Sequence, residues 1–502
     1  MSKLNSLYHL LDKTVLSFPT RPLFHLNSTS FVSYDTFMKD VGNFRLLLNQ
    51  HNVKKSDNVV IIGNNTERWA SLAYATWAEG AVVVPMYEKQ NLEVKKHVIR
   101  ETNPKIIFNT GQSVTDGQNS FVNKPQINHT TIVLQKSQPV NMFDEPDIQL
   151  DDLATILYTS GTTGLPKGVK LTHFNIISNM ESINKISSRL PITEQDKYVS
   201  FLPWSHCYGL NCELNYLIWK GASTHINSNL LELRTDLVRH NPTVLCAVPK
   251  LFHEIHKKIG KVSVFPGFVK KFVKNKTFGE NMRFATVGGA SINTSLLHFY
   301  NDIGLPIYQG YGITECSPLI SLNSAYDNKV GSVGKVLDCN DVKIVDGEIL
   351  VGGSNVTSGY CLNRSTDSFE MIDGKQYFKT GDNGHIDGAG YLHITGRIKE
   401  SYKLSNGKFV NPDEIELAIM GSVPDIKQVM IYSKDGDEFN SAIVVSDLPE
   451  YKVRQKIEKL GIDKYKVPKV IKVVSELFTI DNDLVTPKQS LKRNNIVKYF
   501  KL

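Results

Sequence analysis

The chain has 502 residues, with 57 Lys+Arg against 50 Asp+Glu and a formal net charge of +7. Its 41% hydrophobic and 21% charged residues suit a globular core and exclude wholesale disorder. No run of 18 apolar residues is present to span a membrane, and the start Met1-Ser2-Lys3-Leu4-Asn5 lacks the apolar stretch of a secretory signal. The lysines are spread, thickening toward the C-terminus, without the dense basic stripe of a nucleic-acid binder. Mean hydropathy is -0.21. The six cysteines form no Cys-x-x-Cys pair, so free thiols are expected in place of a zinc site or disulfide framework. The expectation is a cytoplasmic, non-secreted protein with no nucleic-acid partner.

The first half alternates short apolar runs with helical lengths. Val59-Val60-Ile61-Ile62 stops at Gly63, and Glu67 to Glu79 carries helix-like spacing. Ala81-Val82-Val83-Val84 follows, stopped by Pro85. Lys105-Ile106-Ile107-Phe108 and Thr131-Ile132-Val133-Leu134 read as further buried strands. The pattern resumes at Tyr198–Leu202, Val244–Val248 and Phe284–Val287, each ending in Pro or Gly near polar residues. Such texture predicts an α/β protein with mixed or parallel sheets covered by helices. In open α/β sheets ligands sit beyond the carboxyl ends of the strands.

From about Gly331 the texture becomes β-rich. Val342–Val345, Asp346-Gly347 and Glu348–Val351 read as a hairpin with a tight turn, and Asp373-Gly374 and Asp387-Gly388 repeat the turn signal. After Gly396-Arg397 a compact α+β stretch of about a hundred residues follows, sized for one domain. The expected organisation is therefore a large domain over 1–396 and a small mobile α+β domain over 397–502.

The chemistry concentrates after the strand Ile156-Leu157-Tyr158, in Thr159-Ser160-Gly161-Thr162-Thr163-Gly164-Leu165-Pro166-Lys167-Gly168. Small residues admit close backbone approach, hydroxyls donate hydrogen bonds, and Lys adds a positive charge, a combination suited to phosphate oxygens. No Gly-Lys-Ser/Thr is present, so this is not a Walker A loop.

Tyr158 to Val169 resembles the phosphate loop of the adenylate-forming superfamily, which includes acyl-CoA synthetases. Three further segments resemble that superfamily in the same order: Gln309 to Glu315, Tyr377 to Asp382 and Gly390 to Glu400. Leu202-Pro203-Trp204-Ser205-His206-Cys207-Tyr208-Gly209 and Arg397 to Lys408 are most similar to long-chain fatty acyl-CoA synthetases.

The resemblance implies ATP, Mg²⁺ and CoA as cofactors and a fatty acid as substrate. The acid is joined to AMP with loss of pyrophosphate, and a thiol then takes the acyl group. Catalysis of this kind needs charge neutralisation and alignment at the phosphates. By resemblance, Thr159, Ser160, Gly161, Thr162, Thr163, Gly164 and Lys167 cradle phosphates. Glu315 holds Mg²⁺, for which one carboxylate plus phosphate oxygens suffices, and Thr314 contacts the α-phosphate. Tyr311, between Gly310 and Gly312, packs on adenine; Asp382 accepts the ribose hydroxyls; Arg397 reaches ribose and phosphate. Gly288, Gly289 and Ala290 form a small-residue wall, His206 lines the carboxylate tunnel, Lys403 is a further nucleotide candidate, and Glu400 is the hinge.

One position departs from the pattern. In Thr486-Pro487-Lys488-Gln489-Ser490-Leu491-Lys492-Arg493 the superfamily's catalytic Lys is replaced by Ser490. Either Lys488 or Lys492 substitutes, since residues two apart in an extended segment share a side, or adenylation is impaired and the protein is a nucleotide- or lipid-binding pseudoenzyme. An acceptor other than CoA is a further alternative. Val262 to Lys276 mixes apolar and basic residues, which suits either peripheral contact with an anionic membrane or a surface helix packed on the core. Acyl chain length and oligomeric state are not encoded in any of these signals.

Overall fold

The structure is a computed structural model. It describes residues 5–502 except 28, 111–125, 129–146, 160–165, 364–365, 435, 480 and 486–490. The expected strand at Thr131–Leu134 lies outside the described residues.

The fold is α/β, with parallel and mixed sheets covered by helices. A six-stranded sheet runs in the spatial order 126–128, 106–109, 58–62, 82–86, 153–159, 167–172. All its neighbours are parallel except the last pair, which forms a hairpin. The strand Asn58–Ile62 shows why its run reads as continuously apolar. Val59 and Ile61 enter one core with the helices Tyr34–Gln50 and Glu67–Ala78, while Val60 and Ile62 enter another with the helix Leu92–Thr102. Both faces are covered, so every position is apolar. Thr66 starts the second of these helices by accepting the Trp69 amide at 3.0 Å.

Pro85 does not end its strand: the strand runs Val82–Met86, with Pro85 opposite Ile61. The ladder to the next strand registers only at Val83, so a missing N–H at 85 breaks no pairing on that side.

A second, five-stranded sheet sets Val244–Ala247, Phe284–Val287 and Ile307–Gly312 parallel, then adds two antiparallel strands. A four-stranded sheet contains Lys197–Ser200 and Ser223–Ile226. The β-rich segment carries the expected hairpin, Asn340–Val345 with Glu348–Gly353. Its turn residues Asp346 and Gly347 have φ of 50° and 84°, the doubly left-handed turn that suits strand twist. Asp373-Gly374 repeats it. Asp387-Gly388 does not. There the strands Lys375–Ile386 and Leu392–Arg397 are joined by five residues, and the Asp387 carboxylate accepts the amides of Ala389 and Tyr391.

Beyond Arg397, three strands at 426–432, 441–446 and 470–474 carry the helices Pro412–Ser422, Glu450–Glu458 and Arg493–Phe500. Their apolar clusters begin at Leu404, and the clusters of the preceding part end at Leu392 with Ile394 packed against them. All six cysteines are free thiols. Among the described residues, no helix is long and apolar enough to cross a membrane.

Candidate functional site

Strands from three sheets end at one cavity of about 710 Å³. Gly63 and Tyr87 follow two strands of the first sheet, Phe201 follows one of the four-stranded sheet, and Val248, Gly288 and Ile313 follow the parallel strands of the five-stranded one. The volume is that of a small-molecule site, and the walls are predominantly apolar. His206, Gly289, Gly310, Gly312 and Thr314 also line it. Ala290 is exposed beside this wall.

Two of these glycines are fixed by geometry. A side chain at Gly312 would stand 2.0 Å from the Pro318 carbonyl oxygen, and Gly289 turns with φ of 82°. The segment Leu202–Gly209 leads into a π-helical turn, Tyr208–Asn215. Wide turns of this kind concentrate at functional sites. Inside it Glu213 is fully buried, with Ser200 Oγ donating at 2.6 Å and the Phe201 amide at 3.4 Å. Burial pushes its carboxyl up to about 8, against the opposing hydrogen bond from Ser200.

At the polar end, cross-strand register does the positioning. Asp382 pairs directly with Arg397 on the adjacent antiparallel strand. The Arg397 Nε lies 3.3 Å from Asp382 Oδ1, and the Tyr311 hydroxyl donates to Asp382 Oδ2 at 2.6 Å. Burial raises the Asp382 carboxyl above its usual range; the guanidinium and the Tyr311 hydroxyl oppose that shift. Tyr311 is therefore tied by its hydroxyl to the residue assigned to ribose.

Glu315 lies in the one-turn helix Thr314–Cys316 that follows the strand Ile307–Gly312. Its Oε1 accepts the Tyr360 hydroxyl at 2.9 Å, and Lys167 Nζ stands 5.1 Å from the Tyr360 ring centre. Tyr360 thus links the lysine at the base of the phosphate loop to the candidate magnesium carboxylate. Sequence reasoning passed over it: it sits 45 residues beyond Glu315 in no recognisable string, and tertiary contacts bring it in, the bridge from Val169 to Tyr360 and the Thr357 amide donating to the Glu315 carbonyl among them.

Thr159 ends the strand Leu153–Thr159 and Lys167 starts the strand Lys167–Thr172, and the two residues pair with each other, so the candidate phosphate segment starts and finishes on adjacent antiparallel strands. Ser160, Gly161, Thr162, Thr163 and Gly164 lie outside the described residues, as do Lys488 and Ser490. Lys492 is described, and its ammonium pairs with Asp483. Lys403 is exposed on the short strand Tyr402–Lys403. Glu400 accepts the Arg493 Nε at 3.0 Å, and Arg493 also grips Asp413 and Glu416.

Residues 11–361 match the family model described as AMP-binding enzyme. The chain belongs to the AMP-binding enzyme family. Among curated relatives, the long-chain-fatty-acid–CoA ligase FadD15 of Mycobacterium bovis is 30% identical over 79% of this chain and 74% of its own. The peroxisomal long chain acyl-CoA synthetase 7 of Arabidopsis thaliana is 27% identical over 90% of this chain and 77% of its own. Among solved structures, o-succinylbenzoate CoA synthetase (MenE) of Bacillus subtilis, in complex with its acyl-adenylate, superposes with a TM-score of 0.81 at 23% identity. That match covers 99% of this chain and 98% of the other. ATP-bound MatB of Rhodopseudomonas palustris gives 0.82 at 24% identity, over 99% of each chain. These two likenesses show the AMP-binding enzyme fold shared by this chain.

Proposed function

We propose that this AMP-binding enzyme is an AMP-forming fatty acid–CoA ligase, with a long-chain acid as its substrate. One observation carries the reading: the polar corner of Tyr311, Asp382, Arg397 and Glu315 adjoins a large apolar cavity that Gly310, Gly312 and Thr314 share. A nucleotide belongs in the first and an acyl chain in the second. The curated relatives named above are long-chain ligases, which supports the same substrate class.

In this reading Asp382 takes the ribose hydroxyls while Arg397 turns its remaining N–H donors to ribose and phosphate. Thr314 contacts the α-phosphate at the cavity wall, and the hairpin tip from Thr159 to Lys167 holds the outer phosphates. Glu315, oriented by Tyr360, fits Mg²⁺ as a hard oxygen donor beside phosphate oxygens. The metal would supply charge neutralisation at the departing pyrophosphate. His206 borders the carboxylate path. The acid's oxygen then displaces pyrophosphate at the α-phosphorus, and the thiol of CoA displaces AMP from the acyl carbon.

The same reading divides the chain at 396/397, with Glu400 as hinge between half-reactions. Glu400→Pro is expected to suppress thioester formation more than acyl-AMP formation; equal loss in both steps would refute the hinge.

Ser490 favours a second reading, a nucleotide- or lipid-binding pseudoenzyme. A carboxylate-dependent ATP-to-AMP assay over a panel of acyl lengths, with and without CoA, separates the readings. AMP and acyl-CoA from long acids support the ligase. AMP release that never depends on CoA points to another acceptor, and nucleotide affinity without pyrophosphate release points to the pseudoenzyme. Pyrophosphate exchange in Lys488→Ala and Lys492→Ala tests whether either lysine replaces the missing one; if neither change matters, substitution fails.

A further inference from the structure

The cavity reaches solvent beside Leu230 and Leu231, which line it and are 67% and 93% exposed. These residues lead into the helix Leu233–His240, which packs against the helix Gly267–Phe278. Rim residues Leu251 and Glu254 belong to the helix Pro249–Ile259, which runs directly into the turn Gly260–Val264. The elements that frame the mouth of the cavity are therefore packed into one body with the segment 249–278.

The inner side of this surface is already satisfied. Leu233, Leu237, Val262 and Phe278 share one core cluster, against which Val269 and Val273 pack. The outer side carries a surplus of apolar groups: Val264, Phe265, Phe268 and Phe272 are 84%, 50%, 76% and 61% exposed. Phe268 and Phe272 stand one helical turn apart on the same face. Single exposed apolar residues need no explanation, but a contiguous group marks a binding surface.

Charge selects the occupant. Residues 249–278 hold eight lysines against the single carboxylate of Glu254, a net +7 that equals the charge of the whole chain. The rest of the molecule is therefore balanced. Protruding aromatic and aliphatic side chains flanked by lysines match an anionic bilayer, where the first enter the acyl boundary and the second meet headgroups. A long-chain acid partitions into that same bilayer.

We propose that this face docks on an anionic membrane leaflet and that the acid passes from the leaflet into the cavity past Leu230 and Leu231. The second clause rests on the fatty-acid reading above; the first does not.

The full chain is floated with vesicles containing 30 mol% phosphatidylserine and with pure phosphatidylcholine vesicles. The wild type is expected to float with the anionic vesicles alone and to be released at 500 mM NaCl. Phe268→Asp/Phe272→Asp and Lys271→Glu/Lys276→Glu alter exposed side chains and are expected to melt like the wild type. Each is expected to weaken vesicle binding at least tenfold, in line with about fivefold per lysine near such a surface. Oleate presented in the vesicles should then be activated about tenfold more slowly, in proportion to lost binding, with octanoate dissolved in water unaffected. Equal flotation of wild type and variants overturns the docking. Loss of a dimer in lipid-free light scattering, with flotation unchanged, assigns the face to a second copy and also overturns it. Lost flotation with an unchanged oleate rate overturns the transfer path. Intact flotation with no activity on any acid leaves the docking standing and refutes the ligase reading.

Discussion

Arg397 and Arg493 both lie in recognisable strings, yet the fold gives them different surroundings. Among the described residues Arg397 forms one close ion pair, with Asp382 through Nε, with Glu400 and Asp413 acting on it from farther off, and its side chain remains 49% exposed. Arg493 reaches Glu400, Asp413 and Glu416, donates to the Ile431 carbonyl as well, and is 19% exposed. A guanidinium has five N–H donors. Arg493 uses them to bind the last helix to Glu400 and to the helix Pro412–Ser422. In the reading proposed above, Arg397 turns its remaining donors to a nucleotide, so one arginine would be structural and the other ligand-binding.

The largest effect should come from breaking the filled cluster. Arg493→Ala leaves three carboxylates facing each other, and such a loss costs about 3–5 kcal/mol. Urea unfolding monitored in the C-terminal part should show it; a change under about 1 kcal/mol would mean the cluster is a weak surface network. Arg397→Ala should behave oppositely. Its melting temperature should stay close to that of the wild type while pyrophosphate release falls about 10²–10³-fold, ~3–4 kcal/mol of transition-state stabilisation. Equal stability losses in the two variants would erase the contrast.

A smaller effect is expected at the other polar contact. Tyr360→Phe removes the hydroxyl that orients Glu315. The Mg²⁺ concentration for half-maximal activity should rise about tenfold, as for other outer-sphere partners of a metal ligand. An unchanged magnesium titration would detach Tyr360 from the site.

The last concerns Glu213, a carboxyl with no arginine at all. Below about pH 4.5 it is protonated folded and unfolded, so it contributes no pH dependence. Between there and its folded value of about 8, the unfolded chain gives up the proton and the folded chain keeps it. Stability therefore falls as pH rises through this window and levels off above it. Glu213→Gln should remove that slope. From pH 5 to pH 8 the wild type should lose melting temperature relative to the variant. Parallel curves would mean that Glu213 is ionised in the folded protein.

Much of this was readable from the chain. Apolar runs such as Val59–Ile62 and Phe284–Val287 are strands because β-branched residues buried on both faces leave no other reading. Asp346-Gly347 is a turn because few residues other than Gly, Asn and Asp accept two successive positive φ values. Asp387-Gly388 shows the limit: the same dipeptide became part of a five-residue loop, because the Asp387 carboxylate captured two amides ahead of it. The site divides the same way. The motifs around Lys167, Glu315, Asp382 and Arg397 are local strings, and each could be recognised by itself.

Sequence by itself determined the α/β class, the family resemblance and the candidate site residues, because periodicity, turn chemistry and short motifs are local properties. Tertiary structure alone decided which residues meet. Register put Asp382 opposite Arg397, contacts across distant segments brought Tyr360 to Glu315, and packing joined the helix that carries Phe268 and Phe272 to the one that follows Leu230 and Leu231. Those pairings span tens to hundreds of residues. They follow from how sheets and helices stack, a property of the folded whole that no short window of the chain contains.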